Sequence, residues 1–499
     1  MSSVKKLARQ TAIYGLSSIV GRLLNYLLVP LYTRVFDTGE YGVVTQLYSY
    51  IAFLNLLFVF GLDTAYFRYF HTEKGNPKVY SSGLLSILTS SVILGLTIVL
   101  FASPLSGMIG FEGGTGSQFY PIYIALFGGI LAFDAITALP FAKLRQENRA
   151  KRFATLRLVN IGINIGLNLF FLILLPSMAK HGLPSWLDWM YDPSFGVGYV
   201  FVSNLLASFI TLLLLIPEIF GVKFEFDSSL WKNMIVYAFP LMIAGLAGMI
   251  NETFDRILIP ILITDKADAM SQLGVYGACY KLSILMTLFN QTFRYAAEPF
   301  FFSHSTKENP QATYATIMNW FVLVCSFIFL GIMLYLNIVQ YFIGEHFRSG
   351  LKVVPILLMA NLCLGVYYNQ SIWYKLTGKT VWGAWISVIG AVITLLFNFL
   401  LIPKMGYMGA AWTTLICYAS MMVISYFLGK KHYPVPYELV PFFYFIGLAV
   451  GIWLLSDFIH AQLGLHGLVS GIVNGVFLFI YIGLAWVQFR KKNGYLRAS

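Results

Sequence analysis

Arg22 stands deep in an apolar stretch of the chain, where an idle charge is costly. Its planar guanidinium suits a bidentate grip on phosphate-type oxygens, with Asn25 grouped with it as a binding residue; the alternative is an ion pair, with Asp134 as the candidate partner. Asp134, between Phe133 and Ala135, is in turn a candidate proton-coupling carboxylate or a helix-packing hydrogen bonder. Burial favours its neutral form and a nearby arginine its charged form. Asn251, Glu252, Asp255 and Arg256 crowd a second apolar stretch. Glu252 and Arg256 are four apart and can pair on one helix face, or the group can face a ligand. Asp63 and Glu298, with Arg68 and Arg294 nearby, suit either a charge latch or headgroup-level solvation. Tyr367 and Tyr368 beside Asn369 and Gln370 are of the types that meet a sugar, and Arg157 and Lys281 are expected to snorkel first and line a cavity second.

The elements that must hold these residues are membrane helices. Hydrophobic residues make up 58% of 499 positions and charged ones 11%, against about 25% charge in a water-soluble domain, which excludes a soluble enzyme. About 20 mainly apolar residues cross roughly 30 Å of hydrocarbon with every backbone polar group bonded internally. Fourteen segments meet that test: Thr11 to Thr33, Tyr41 to Ala65, Ser81 to Ala102, Phe119 to Ala142, Phe153 to Leu175, Phe195 to Ile216, Leu230 to Ile263, Val275 to Ala297, Thr313 to Leu336, Val353 to Trp373, Val381 to Ile402, Gly406 to Leu428, Val440 to Ile459 and Leu468 to Phe489. Arg22 then lies about 11 residues, near 17 Å, into the first span. That span lacks a small-residue cleavage site and is expected to be retained.

Positive charge tests the count, because cytoplasmic connections retain it. With the N-terminus inside, 22 of the 33 Lys and Arg fall in inner stretches and 6 in outer ones, so both termini are expected in the cytoplasm. The net charge of +12 thus reports topology and anionic headgroups, and nucleic acid is not expected as a partner. Span seven is overlong, about 51 Å as a straight helix, with Pro240, Gly245 and Gly248 as places to bend. The four cysteines lie in apolar segments, no His/Cys cluster has metal spacing, and Gly378-Lys379-Thr380 lacks the earlier glycine of a phosphate loop. No catalytic centre, cofactor or metal is expected. The longest outer loop, about His181 to Ser194, carries Trp186 and Trp189 as interface anchors.

The chain also matches itself. At a constant offset of 235 residues Tyr41-Gly42 falls on Tyr276-Gly277, Asn55 on Asn290, Phe58 on Phe293 and Asp63 on Glu298. Lys143, Asn168, Pro176, Gly196 and Gly198 find counterparts in Lys375, Asn398, Pro403, Gly406 and Gly409. Spans one to six therefore resemble seven to twelve with the same orientation. The expected architecture is all-α: a six-helix lobe (1–220), a second six-helix lobe (221–432) related by a parallel pseudo-two-fold, and two further helices with a tail (433–499), with any site near the midplane between the lobes.

The stretches GLSSIVGRLLNYLLVPLYTRVFDTGEYG (15–42), YGACYKLSILMTLFNQTF (276–293) and NFLLIPKMGYMGAAW (398–412) resemble bacterial polysaccharide flippases of the Wzx type, in the multidrug/oligosaccharidyl-lipid/polysaccharide exporter superfamily. The resemblance covers essentially the whole chain. It implies two lobes around a cavity that opens alternately to each side, moving a glycan on a polyprenyl pyrophosphate outward across the bacterial inner membrane. Under it Arg22, Asn25, Asn251, Asp255, Arg256, Tyr367 and Asn369 become the substrate-binding candidates, and Asp134, Glu252, Asp63 and Glu298 the ion-coupling or gating candidates. Membrane lipids, a coupling H+ or Na+ and a polysaccharide polymerase are the expected partners of a chain acting as a monomer. A peptidoglycan-precursor flippase and a drug/cation antiporter are the alternatives within the superfamily; Arg22 weighs against the antiporter, whose site would want acidic lining. A membrane glycosyltransferase, polymerase or ligase would need a larger outer catalytic loop.

Overall fold

The computed structural model describes residues 20–109, 117–182, 184, 187–305 and 308–498, with side chains as far as 488. The start of span one, Lys5, Lys6, Arg9, Trp186, Lys307 and the side chains of the C-terminal basic run lie outside the described residues. Within them the structure is helical without strands. Residues 20–26 are helical and lead into α1 (Leu28–Val35), α2 (Thr38–Val59), α3 (Leu62–Thr72), α4 (Pro77–Leu100), α5 (Tyr120–Gln146) and α6 (Ala150–Leu169). Then come α7 (Gly198–Leu214), α8 (Ile216–Phe220), α9 (Ser228–Leu262), α10 (Lys266–Lys281), α11 (Ile284–His304) and α12 (Pro310–Leu334). The last are α13 (Val354–Gln370), α14 (Ile372–Leu376), α15 (Val381–Met405), α16 (Tyr407–His432), α17 (Leu439–Leu463) and α18 (Gly467–Ala498).

Among the described residues eleven helical stretches are long and apolar enough to cross a membrane. The other three expected spans differ for separate reasons. Much of span one lies outside the described residues, span six is the 17-residue α7, and span eight is broken between Lys281 and Ile284 into α10 and α11.

Local chemistry sets the helix starts. Asp37 and Glu40 form a reciprocal capping box, Asp37 Oδ1 accepting from the Glu40 N–H at 2.8 Å and Glu40 Oε2 from the Asp37 N–H at 3.0 Å. Asn76 and Pro77 start α4, and Asp227 caps α9. Span two is interrupted by two left-handed residues, Phe60 (φ 54°) and Gly61 (φ 69°), which begin α3 as a new helix and put Asp63 in its first turn, where the helix dipole favours a negative charge.

The chain forms two compact units: Met1–Ala278 with Thr394–Ala410, and Cys279–Ile393 with Ala411–Ser499. These do not coincide with boundaries at 220 and 432, because α9 packs with the first unit. Gly245 makes room for Leu56, where a β-carbon would meet Leu56 Cδ2 at 2.8 Å, and Phe254 sits 5.6 Å from Phe53. Gly245, one of the three places offered for a bend, thus serves a helix crossing. α2 and α10 cross more closely. A β-carbon on Gly274 would lie 1.8 Å from the Thr38 carbonyl oxygen, one on Gly42 would lie 2.1 Å from that of Met270, and Thr38 and Ser271 share a 2.7 Å hydroxyl hydrogen bond beside them. The repeat-matched pairs Tyr41-Gly42 and Tyr276-Gly277 sit on these two helices. Gly274→Ala is therefore expected to force the backbones apart at the upper end of about 1–3 kcal/mol. A lower unfolding midpoint in detergent checks it; an unchanged midpoint would mean the crossing yields freely.

In the second unit Cys363, Tyr367, Trp373, Tyr374, Cys417 and Tyr418 form a buried cluster. All four cysteines are buried and outside any disulfide, in line with the packing role expected of them.

Candidate functional site

In the first unit, buried and half-buried polar groups run along α5, α6 and α7. Ser208 Oγ donates to Asp134 Oδ1 at 2.7 Å, Asn160 Nδ2 to Thr211 Oγ1 at 2.9 Å, Asn204 Nδ2 to the Tyr48 hydroxyl at 3.2 Å, and the Tyr32 hydroxyl to Asn168 Oδ1 at 2.9 Å. Each donor and acceptor comes from the interior side of an otherwise apolar helix, the placement that hydrocarbon imposes on polar side chains. Among the described residues, Arg157 of α6 is a cation whose charge bears on Asp134. Its guanidinium lies 4.1 Å from the centre of the Phe141 ring and 5.8 Å from that of Phe153, and the side chain is accessible. The alternative of an Arg22–Asp134 ion pair is not met: Asp134 is held by Ser208.

Arg22 is accessible, on the helical segment 20–26, and has no carboxylate within 4 Å among the described residues. Asn25, three residues on, is also accessible. Gly21 between Val20 and Arg22 faces α6, where a β-carbon would meet Ile161 at 2.7 Å. The segment thus turns its glycine to the protein and leaves Arg22 open.

Near the end of unit 1 that the charge pattern assigns to the inside, cations lie over aromatic rings: Arg68 over Tyr237 at 4.2 Å, Lys143 over Tyr80 at 4.6 Å and Arg145 over Phe67 at 5.0 Å. Arg68, named beside Asp63 for a charge latch or headgroup-level solvation, lies over Tyr237 and forms no ion pair with Asp63. One carboxylate there is fully engaged. Glu218 of α8, with 2% side-chain exposure, binds Arg149 Nη1 at 3.0 Å and Arg152 Nη2 at 2.8 Å, and its carbonyl accepts the Tyr80 hydroxyl at 2.9 Å. It ties the α5–α6 turn to the end of α7. Sequence reasoning passed over Glu218; the signal was a lone acid among Ile216, Pro217, Ile219 and Phe220, opposite the five basic residues between 143 and 152.

On α9, Asp255 is buried and accepts the Tyr276 hydroxyl at 2.5 Å, and Asn251 Oδ1 accepts from Thr394 Oγ1 at 3.2 Å. Arg256 Nη1 donates to the Glu252 carbonyl at 3.2 Å, so the four-residue spacing is used through the backbone, while the Glu252 side chain is exposed. Asp255 and Asn251 therefore bind α9 to its neighbours within unit 1.

In the second unit the sugar-type cluster divides. Tyr367 is in the packed core, its hydroxyl 3.5 Å from that of Tyr374. Asn369 instead lines a small cavity with Arg294, Glu298, Tyr368 and Lys375, and neither polar atom of its buried amide has a hydrogen-bond partner. Lys375 Nζ lies 2.5 Å from Glu298 Oε1. Asp63 and Glu298 match in the repeat yet differ in setting: one sits at a helix start, the other in an ion pair.

A family model described as polysaccharide biosynthesis protein matches residues 7–304. The chain is 22% identical over 424 residues to the probable low-salt glycan biosynthesis flippase Agl15 of Haloferax volcanii, covering 84% of this chain and 82% of that protein. It is 21% identical over 369 residues to the capsular polysaccharide biosynthesis protein CapF of Staphylococcus aureus, covering 72% and 84%. Among solved structures it resembles the lipid II flippase MurJ in an inward closed conformation, with a TM-score of 0.72 at 13% identity over 95% of this chain and 98% of that one. It also resembles an inward-facing multidrug resistance MATE family transporter of the MOP superfamily, with a TM-score of 0.65 at 14% identity over 82% and 94%. At these identities the two structures speak for the fold.

Proposed function

Since this chain belongs to the polysaccharide biosynthesis protein family, we propose that it flips polyprenyl-pyrophosphate-linked oligosaccharide units from the cytoplasmic to the outer leaflet by alternating access. It is a multi-pass membrane protein with a MurJ- and MATE-like fold. The observation that carries the reading to a substrate is Arg22, an accessible arginine in an apolar stretch of the sequence with no carboxylate within 4 Å among the described residues. A cation in that position attracts an anionic head, and its fork matches phosphate oxygens in two places at once. A cationic drug would be repelled by it. The resident membrane is the bacterial inner membrane with both termini in the cytoplasm, in line with the 22 to 6 division of basic residues.

In this proposal the lobes are 1–220 and 221–432, with 433–499 as an addition, and Asn25 joins Arg22 at the carrier head within the first unit. Asp134 exchanges a proton with the gradient, and Asp63, Glu252 and Glu298 act at the mouths. The protein performs no covalent chemistry, works as a monomer and hands its cargo to a polymerase. Expression in a strain lacking its own repeat-unit flippase tests the reading, with surface polysaccharide normalised to membrane protein. Restored polysaccharide supports it; none from a well-folded, membrane-resident protein in strains that make several different repeat units would reject it.

A further inference from the structure

We propose that Arg294, Lys375 and Asn369 form an oxyanion site in the second unit that takes a phosphate or pyrophosphate group, and that the Glu298 carboxylate occupies it as a built-in competitor in the present conformation. The inference rests on the flippase reading only for the source of that group, the head of the carrier lipid.

The site is made where α11 meets α13 and α14. Its cavity is about 10 Å³, enough for one water-sized group. Asn369 is 2% exposed and both its amide oxygen and its amide nitrogen lack partners, a condition buried amides seldom keep unless something else satisfies them. Arg294 lies over the face of Tyr368 at 5.1 Å and has no carboxylate within 4 Å among the described residues. A guanidinium held by its face keeps its N–H edges for a planar two-oxygen partner. Lys375 is the one member already engaged, and its partner is an oxyanion, Glu298 Oε1 at 2.5 Å.

Charge selects the ligand. Two cations face one carboxylate, so a metal cation is disfavoured and an anion completes the balance. An ammonium, a guanidinium and an amide N–H are also the donor set that phosphate oxygens take. The Glu298 and Lys375 side chains are 41% and 27% exposed, so burial does not lock their pair. Rotation of Glu298 toward the open side would vacate the volume its carboxylate fills and leave all three donors to the incoming group. Glu298 would then return to Lys375 when the group departs, which gives the site an empty-state partner and prevents two bare cations from facing one another.

Equilibrium binding to the full chain in nanodiscs of neutral lipid tests this, with inorganic phosphate, inorganic pyrophosphate and a sugar-free polyprenyl pyrophosphate as separate probes. Glu298→Gln should bind pyrophosphate about tenfold more tightly, and Arg294→Gln and Lys375→Gln about tenfold more weakly, the scale of one charge-assisted hydrogen bond. Asn369→Leu should weaken binding without lowering the unfolding midpoint, since no existing hydrogen bond is lost. Binding by Glu298→Gln that is unchanged or weaker, with the fold intact, would overturn the proposal and leave Glu298–Lys375 as a structural pair. Competition by the polyprenyl pyrophosphate below the concentrations needed for the free anions assigns the site to the lipid head; binding of the free anions alone overturns that source. Failure of the wild type to restore surface polysaccharide would bear on the flippase reading only, because anion binding is read on the purified protein.

Discussion

Arg22→Ala is expected to lower polysaccharide export about tenfold or more at normal protein level, while Arg22→Lys keeps a measurable part of it. Lysine retains the charge but loses the planar fork that meets two phosphate oxygens together, so the two variants separate attraction from geometry. A purely structural arginine would behave otherwise: alanine would leave a bare carboxylate, lower the amount of folded protein, and be rescued by removing that carboxylate as well. Among the described residues no carboxylate lies within 4 Å of Arg22, and Asp134 is bound to Ser208. Asp134→Asn in the same chain is therefore expected not to rescue Arg22→Ala. The readout is surface polysaccharide divided by membrane protein in a flippase-deficient strain. Full export by a well-expressed Arg22→Ala protein would remove this residue from the binding role.

The second large effect is expected at Asp134. If this carboxylate carries the coupling proton, Asp134→Asn should abolish the response of transport to an imposed pH gradient, while binding of the substrate head survives. Asparagine keeps the size and can still accept from Ser208 Oγ, so the packing of α5 against α7 is retained. Arg157 is the cation next to be affected, and Arg157→Gln should disturb the same gradient response without reproducing the Arg22→Ala defect. Vesicles holding the purified variants, with flux compared at zero and imposed gradient, give the measurement. A gradient response in Asp134→Asn equal to that of the wild type would assign Asp134 to helix packing.

The all-helical membrane fold is legible in the apolar run lengths, because hydrocarbon allows few backbone solutions. What run lengths do not contain is a break that leaves the residues apolar. Phe60 and Gly61 adopt left-handed backbone inside one continuous greasy segment, and Leu282 and Ser283 interrupt another, so spans two and eight each comprise two helices. Gly42 and Gly277, matched at the 235-residue offset, sit at the α2–α10 crossing. The offset did not foretell neighbours. Asp63 and Glu298 match in sequence, yet a helix start surrounds one and Lys375 the other, since a partner 77 residues away is a property of packing rather than of offset.

Among the site residues, Arg22 and Asp134 could be singled out from charge in an apolar setting, but not their partners. Asp134 chose a serine, a residue too common in membrane helices to stand out. Tyr367 and Asn369 looked alike as sugar-type residues two positions apart, and helical geometry points them about 200° apart around the axis, one to the core and one to a cavity. Glu218 was missed because it reads as an ordinary surface acid until the basic α5–α6 turn folds against it.

The most direct test of the central claim is translocation by the purified chain alone. A polyprenyl-pyrophosphate oligosaccharide with a reporter on its sugar is incorporated in both leaflets of vesicles, and an impermeant quencher is added outside. With the protein present, the protected inner-leaflet fraction should become accessible, faster than in protein-free vesicles and without a matching change for a labelled phosphatidylglycerol. Protein-free kinetics from correctly folded, correctly inserted protein would contradict the account.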